Sequence, residues 1–178
     1  LPLFQRLDGG GIVGSFAQAM EVYPDLVDQH FGKYADIKSD AMIALNTVFA
    51  KDGIFTYFPA GTNISKPIQI ITLVNKNDSL LFSPIIQYRN LIIIEKNSEI
   101  KLVFCDHTSA NERSISNSVT EIYIGENAKV EVYRVQNQHN NAAQISGFNI
   151  SRADNSSLTI NTVTLNGGFV RNNINVFL

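Results

Sequence analysis

The apolar and polar positions of this chain follow a pattern that recurs through its second half. In Glu121–Asn137 an apolar run is followed by a polar corner and then by strict alternation. Val130 and Val132 fall on one side of the alternation, and Glu131 and Tyr133 fall on the other. A period of two residues is typical of a β-strand that is buried on one face. The segment therefore predicts two strands joined by a tight corner.

The same module occurs upstream in Ile92–Phe104 and downstream in Ile150–Leu165. Each copy carries an asparagine, a small residue, any residue and an apolar residue, and successive copies lie 30 and 28 residues apart. These tetrads are Asn97-Ser98-Glu99-Ile100, Asn127-Ala128-Lys129-Val130 and Asn155-Ser156-Ser157-Leu158. A weaker fourth copy, Gly61-Thr62-Asn63-Ile64, starts 36 residues before the first.

A repeat of this length that is made of strands and corners predicts a β-solenoid. Stacked coils would pair their strands in parallel and bury a continuous apolar stripe. A meander of hairpins, with a turn at Lys96-Asn97, is the alternative. Hairpins alone would not require the tetrad at a fixed spacing, so the pattern favours coils. Asparagine suits their corners because it tolerates the left-handed backbone conformation.

Helical spacing and capping residues predict three helices in the first fifty residues. Ser15 is a suitable N-cap for a helix over Phe16–Val22, and a second helix is predicted over Pro24–Phe31. Asp40 or Ser39 would cap a third helix over Ala41–Ala50. The predicted apolar stripe of the third helix is Met42, Leu45 and Phe49. The predicted stripe of the second helix is Leu26, Val27 and Phe31, and Gly32 is its predicted C-cap. His30 ends the second helix, where a cation suits the helix dipole.

Residues 1–14 include Gly9-Gly10-Gly11-Ile12-Val13-Gly14, which matches the dinucleotide-binding pattern. That mechanism needs a preceding strand to aim the glycines at a pyrophosphate. The preceding residues, Phe4–Asp8, are too short and polar for it. We therefore expect a flexible N-terminal loop.

Lys51-Asp52-Gly53 is typical of a turn and marks the change from helix to strand. We predict an all-helical segment over residues 1–50 and a parallel β-helix over residues 51–178. Ahead of the repeats, strands are predicted at Ile54–Phe58, Ile68–Val74, Leu80–Phe82 and Ile85–Tyr88, with a polar turn at Asn75–Ser79.

Composition agrees with a folded, mainly β domain. The 178 residues are 44% hydrophobic and 10% aromatic. The net charge is −2 and the chain has no basic cluster, and this charge pattern argues against a nucleic-acid partner. The single cysteine rules out an internal disulfide and fits a reducing cytoplasm. The apolar runs are too short to span a membrane, and no signal peptide is visible. A cytoplasmic location is therefore expected.

Both ends of the chain suggest a fragment. It begins Leu1-Pro2-Leu3 without an initiator methionine and finishes on the alternating strand Ile174–Leu178. A solenoid needs a capping element over its last coil. We therefore expect a piece of a longer protein that self-associates through the open end of the coil.

Several segments, in order along nearly the whole chain, resemble the SufB/SufD family, and their details lie closer to SufD. The similar segments are ALNTVFAKDGIFTYFPAG at 44–61, KPIQI at 66–70, RNLIIIE at 89–95, TEIYIGENAKV at 120–130, VQN at 135–137 and GGFVRN at 167–172. The resemblance implies a right-handed parallel β-helix preceded by helices. It also implies a non-catalytic scaffold subunit of the cytoplasmic complex of SufB, SufC and SufD, which assembles iron–sulfur clusters.

In that family SufC is the ATPase, and SufB with SufD holds the nascent cluster. The expected partners are thus a SufB-type paralogue and a SufC-type ATPase, with no nucleic acid and no membrane. No P-loop pattern occurs in the sequence, and we expect neither catalytic residues nor a cofactor bound by this part alone. A cluster would form in the full complex. The resemblance implies that the later coils, and the C-terminal helices that dock SufC, would lie beyond Leu178.

Cys105 and His107 are the candidate metal ligands. Thiolate and imidazole both bind iron, and residues two apart on a strand point to the same face. A single cysteine cannot complete a cluster site. The alternative is that Cys105 is a small core residue and that His107 begins a polar loop extending to Ser118.

Two other functions are open. Many parallel β-helices act on polysaccharides, so a carbohydrate-active enzyme or carbohydrate-binding module is the alternative to the scaffold. Asp106, Glu112 and Glu121 are its nearest acids, but their spacing does not aim them at one groove. The third hypothesis, after the scaffold and the carbohydrate-active protein, is a structural protein that only self-associates. His139, in the polar corner Gln136–Asn141, is expected to be solvated.

Overall fold

The computed structural model describes residues 4–74, 85–108 and 113–178. In these ranges the protein is mainly β, with three helices near the N-terminus and a β-solenoid of about three turns. The elements are β1 (Phe4–Arg6), β2 (Ile12–Ser15), α1 (Phe16–Val22), α2 (Pro24–His30), α3 (Ala41–Phe49), β3 (Ile54–Phe58), β4 (Ile68–Val74), β5 (Ile85–Ile94), β6 (Glu99–Thr108), β7 (Ser114–Ile124), β8 (Lys129–Asn137), β9 (Ala142–Arg152), β10 (Ser157–Asn166) and β11 (Phe169–Phe177).

The strands form two sheets that face each other across the coil. One has the order β1-β2-β3-β5-β7-β9-β11, and the other has the order β10-β8-β6-β4. From β3 onward every pairing is parallel. Ile94 pairs with Ile124, and Ile124 pairs with Arg152, so one coil equals the tetrad spacing. The predicted coil is confirmed and the hairpin meander is wrong.

The repeated asparagine forms the corner between the two sheets. Asn97, Asn127 and Asn155 have φ of 59°, 57° and 55°, and Gly61 of the weaker copy has φ of 77°. The corners stack by main-chain hydrogen bonds, since Asn97 N donates to Glu126 O at 2.9 Å and Asn127 N donates to Asp154 O at 3.1 Å. The tetrad is therefore the signature of a left-handed corner. The small residue that follows each asparagine is buried between neighbouring coils.

An apolar core fills the part of the coil next to these corners. Ile92 and Ile94 of β5 project inward toward Ile100 and Leu102 of β6, and all four side chains are fully buried. The same positions are apolar in the next coil. The alternating residues therefore bury one continuous stripe along the solenoid axis.

The three helices form close to their predicted positions. The side chain of Ser15 caps α1 by accepting from Gln18 N at 3.2 Å. Asp40, one of the two predicted caps of α3, accepts from Met42 N and Ile43 N. The helix α2 ends at His30, and Gly32, with φ of 72°, lies just beyond it. None of the helices in the described part of the chain is long and apolar enough to cross a membrane.

The predicted buried face of α3 is wrong. Leu45 and Phe49 are 39% and 60% exposed, whereas Ile43 and Asn46 face the sheet. The amide of Asn46 donates to the main-chain oxygens of Tyr88 at 3.0 Å and Asn117 at 2.9 Å. These bonds rotate the helix so that a polar residue, and not the apolar stripe, lies inside.

Residues 4–14 do not form the predicted loop, and two strands, β1 and β2, precede the helices. β1 pairs with β2, and β2 pairs with β3, both antiparallel, so these two strands belong to the larger sheet. Gly9 and Gly10 lie in a 3-10 turn at Asp8–Gly10, Gly11 follows this turn, and Gly14 lies in β2. They do not form a strand-to-helix loop that aims at a phosphate.

Two further sequence predictions change at the strand ends. The strand predicted at Ile85–Tyr88 continues to Ile94 as β5, and the polar loop predicted to extend to Ser118 is wrong because β7 begins at Ser114. The turn at Asn75–Ser79 and the strand at Leu80–Phe82 lie outside the described residues. The boundary between residues 50 and 51 stays a prediction.

Candidate functional site

The two candidate metal ligands lie on β6 in the second coil. Cys105 and His107 are alternate residues of this regular strand, so they share its outer face. The thiol is only 7% exposed, and Gln69 Nε2 on the neighbouring strand donates to its sulfur at 3.2 Å. Cys105 is therefore covered by its neighbours even though it points away from the coil interior.

The structure does not complete a metal site around this pair. Across residues 4–74, 85–108 and 113–178, no three His, Cys, Asp or Glu side chains come together in a way that could hold a metal ion. The sulfur and imidazole of one strand face can supply at most part of a coordination shell. Metal binding by Cys105 and His107 stays a prediction.

Asp106, between them, points into the coil. It is 7% exposed, and Gln144 Nε2 of β9 donates to its Oδ2 at 2.8 Å. The Tyr88 hydroxyl of β5 lies 3.5 Å from its Oδ1. Desolvation inside the coil and, second, the nearby Asp106 carboxylate raise the pKa of Tyr88, so the phenol stays protonated and can donate.

Polar side chains extend this cluster along the solenoid axis. Gln136 Nε2 donates to Gln144 Oε1 at 2.9 Å and to Asn172 Oδ1 at 3.0 Å. Arg134 Nη2 donates to Ser146 Oγ at 2.5 Å and to the same Asn172 oxygen at 3.1 Å. Burial lowers the pKa of Arg134, and Asp106 opposes that shift. The interior is thus apolar near the asparagine corners and polar at the other end.

The arginine of this cluster is held by packing as well as by hydrogen bonds. Its guanidinium lies 4.3 Å from the ring centroid of Phe148, and its Nε and Nη1 have no hydrogen-bond partner. Both nitrogens are fully buried. Among the described residues, the cluster joins the facing sheets inside the coil.

The alternation of β8 is the sequence signal for these interior polar residues. Val130 and Val132 face inward, and the same period of two continues to Arg134 and Gln136. Extending the alternation would have placed both polar side chains inside. The polar corner predicted over Gln136–Asn141 starts later, since Gln136 and Asn137 belong to β8 and Gln136 is fully buried.

The remaining candidates lie apart from one another. His139 is half-buried in a corner, where its Nδ1 accepts from Asn141 N at 3.3 Å. Asp106 faces the interior, whereas Glu121 faces outward from β7 and accepts from Gly32 N and Tyr34 N. The two acids therefore cannot act on one bond, and Glu112 lies outside the described residues. No described pair of these acids supports glycoside chemistry.

His30, at the end of α2, is buried against Tyr34. It is 8% exposed, and its Nδ1 lies 2.6 Å from the Tyr34 hydroxyl. Desolvation lowers the pKa of His30, although the Glu121 carboxylate partly opposes the shift. The neutral imidazole is the favoured form because burial costs more for the charged ring.

Family comparisons agree with the coil and its N-terminal helices. The model of the SufBD protein N-terminal region matches residues 3–70, and the model of the SUF system FeS cluster assembly SufBD core domain matches residues 74–178. The chain belongs to the SufBD family. The resemblance found in the sequence is thereby confirmed.

Curated SufBD relatives are about 30% identical to this chain over the aligned residues. An iron–sulfur cluster assembly SufBD family protein of Pyrococcus horikoshii is 32% identical over 72% of this chain and 28% of its own length. A chloroplastic SufBD family protein of Arabidopsis thaliana is 30% identical over 72% of this chain and 22% of its own length. The iron–sulfur cluster assembly protein SufD of Bacillus subtilis is 28% identical over 77% of this chain and 31% of its own length. The chain spans about a quarter of the length of these SufBD relatives.

Proposed function

We propose that this chain is the early part of a SufD-type scaffold subunit that assembles iron–sulfur clusters without catalysing a reaction itself. The observation that carries the proposal is the match of the SUF core model over residues 74–178, which contain β5 to β11 of the coil. The curated relatives that match most of the chain are all described as iron–sulfur cluster assembly proteins. The iron–sulfur cluster is the cargo of such a complex.

The interior of the coil supports a structural role. The charged and amide groups of Asp106, Arg134 and Gln136 bond to other side chains of the coil and are at most 7% exposed. Hydrogen bonds that join β6, β8 and β9 across the interior help to fix the register of the strands. A rigid rod with defined outer faces suits a protein that holds partners in place.

We infer that the partners are a SufB-type paralogue and a SufC-type ATPase in the cytoplasm. The net charge of −2 favours neither nucleic acid nor an anionic membrane as a partner. A protein with one buried cysteine fits a reducing compartment. Self-association through the strands β10 and β11, whose residues are mostly exposed, remains part of this proposal for the isolated chain.

Co-expression of the full-length protein with a SufC-type ATPase and a SufB-type paralogue tests the assignment. One subunit is tagged, the complex is captured, and its mass is measured under native conditions. A stable complex that contains all three proteins is expected. Recovery of the tagged protein alone, with all three proteins soluble, would overturn the proposed function.

The same complex tests Cys105 and His107 as partial iron ligands. We propose that the substitutions Cys105→Ser and His107→Asn lower the iron content of the purified, reconstituted complex. Asp154→Asn is the control because Asp154 is an exposed oxygen ligand in the corner between β9 and β10, at the opposite end of the strands from His107. Equal iron in all variants, with the complex intact, would show that the pair does not ligate iron.

A further inference from the structure

The three helices form a strap, residues 16–50, which leaves and rejoins the larger sheet at one place. Ser15 at the end of β2 pairs with Ile54 at the start of β3. Phe16 N donates to Gly53 O at 3.0 Å, and Asp52 Oδ1 accepts from Ser15 Oγ at 2.8 Å. The strap is therefore an excursion between two adjacent strands, and both of its ends are fixed.

The interior core of the coil does not depend on the strap. The buried cluster inside the coil is built from residues of β3 to β9 and the corners between them, and it contains no strap residue. The strap packs on the outer face of the larger sheet in two separate clusters. The first joins Phe16, Ala19 and Val27 to Phe55, Leu91 and Ile93, and the second joins Ala35 and Ile43 to Val119.

One carboxylate of the coil holds the middle of the strap. Glu121, on the outer face of β7, is fully buried. It accepts hydrogen bonds from Gly32 N at 3.0 Å, Tyr34 N at 2.9 Å and Ala35 N at 3.1 Å. Three main-chain donors from the strap thus converge on one side chain of the coil.

An arginine of the coil links the same carboxylate to the ends of two helices. Arg89 of β5 is 2% exposed, and its Nη2 donates to Glu121 Oε1 at 2.5 Å. Its Nη1 donates to Thr47 Oγ1 of α3 at 3.0 Å, and its guanidinium lies 5.0 Å from the ring centroid of Phe31, just after α2. The pair therefore contacts both α3 and the segment that joins it to α2.

These contacts make partial release of the strap unfavourable. Its helices have 7, 7 and 9 residues, which is below the roughly 12–15 residues that an isolated helix needs in water. If only residues 32–35 left the sheet, the Glu121 carboxylate would lose three donors while most of its cover stayed in place. A buried charge that loses its partners is strongly unfavourable. Docking and helix formation are therefore expected to be one all-or-none step.

We propose that the strap is a conformational switch that undocks as a single unit from an intact coil, with Glu121 as its latch. Undocking uncovers an apolar strip on the outer face of the larger sheet, which includes Leu91, Ile93 and Val119. The switch goes beyond the proposed scaffold function, and its test requires no partner protein.

Native-state hydrogen exchange of the full-length protein in sub-denaturing urea tests the unit directly. We expect the slow amides of α1, α2 and α3 to open together, at lower urea than the amides of β6 and β8. If the amides of the strap and those of the coil became exchangeable together, at the same urea concentration, the proposal would be overturned. Helices that open independently of one another would overturn it as well.

The latch is tested by Glu121→Gln, with Glu131→Gln as the matched control. Glu131 is partly exposed and pairs with Lys101 at 3.0 Å on the outer face of the other sheet. In Glu121→Gln the strap amides should exchange at least about tenfold faster as a group while those of β6 and β8 keep their rates. The control should change neither set. The latch would be refuted if exchange became faster only at Gly32, Tyr34 and Ala35, or if it became equally faster in the coil. It would also be refuted if the variant could not fold.

Discussion

Gln144 Nε2 donates to Asp106 Oδ2 at 2.8 Å across the interior of the coil. The two residues come from opposite sheets, β9 and β6, and each is almost fully buried. A parallel β-helix can bury a carboxylate only where the facing sheet supplies donors, because an unpaired charge in the interior is costly. The bond therefore ties the two sheets together at the polar end of the coil.

Replacing this carboxylate should destabilise the protein. Asp106→Leu leaves the Gln144 amide and the Tyr88 hydroxyl without their acceptor, and we expect a loss of about 2–4 kcal/mol in the free energy of unfolding. Asp106→Asn keeps one acceptor oxygen and should cost less. Urea unfolding with an unchanged slope would measure the loss. Asp154→Leu, at an exposed corner, is the control, and equal midpoints for the two leucine variants would contradict the prediction.

The corner asparagines should depend on their backbone conformation more than on their side chains. Asn127 has φ of 57°. Its side-chain Nδ2 makes a long, exposed contact of 3.4 Å with Asn97 Oδ1. Because alanine disfavours this conformation by about 1–2 kcal/mol, Asn127→Ala should lower the free energy of unfolding by roughly that amount. Asn127→Gly should stay within about 0.5 kcal/mol of the wild type, since glycine adopts the conformation without strain.

The matched control for the corner is Asn140→Ala, because Asn140 is exposed at another corner without a positive φ. Its urea midpoint should stay near that of the wild type. If Asn127→Ala and Asn127→Gly had the same midpoint, the left-handed conformation would not explain the repeated asparagine.

The tetrad explains why so much of the fold could be predicted from the sequence. A residue that must adopt a left-handed backbone, followed by one that must be small, leaves a periodic trace in the chain. The register of β5, β7 and β9 follows directly from that period. The caps Ser15 and Asp40 were predictable for the same reason, since local hydrogen bonds restrict the residue type.

The missed features depend on contacts between distant parts of the chain. Asn46 is buried because main-chain oxygens of β5 and β7 lie beneath α3, and the helix sequence carries no sign of them. Glu121 faces outward on its strand, where a solvated carboxylate is the usual expectation. Only the strap that folds over it makes it a buried acceptor. Among the candidate site residues, the shared face of Cys105 and His107 followed from strand periodicity, but the cover over the thiol did not.

The thiol of Cys105 should react slowly in the native protein. It is 7% exposed, and the Gln69 amide donates to its sulfur at 3.2 Å. We expect labelling by an aromatic disulfide reagent to be at least about 100-fold slower than in urea-unfolded protein, because access requires local opening. Gln69→Ala should speed the native reaction, since it removes both the donor and part of the cover. Gln5→Ala, an exposed glutamine on β1, should leave the rate unchanged, and a native rate equal to the unfolded rate would contradict the prediction.

The stability of the protein should fall as the pH drops below the unfolded pKa of histidine, in part through His30. Its folded pKa is lowered by desolvation, with Glu121 opposing, so the unfolded chain takes up a proton more readily than the folded one. The loss of unfolding free energy due to His30 is absent well above about pH 6.5. It grows as the pH falls below that value and levels off below the folded pKa. His30→Gln should reduce this loss when urea midpoints at pH 7.5, 6.5 and 5.5 are compared with the wild type. His139→Gln, in a half-buried corner, should keep the wild-type dependence of the urea midpoint on pH. If the midpoint of His30→Gln changed with pH in parallel with that of the wild type, His30 would not contribute.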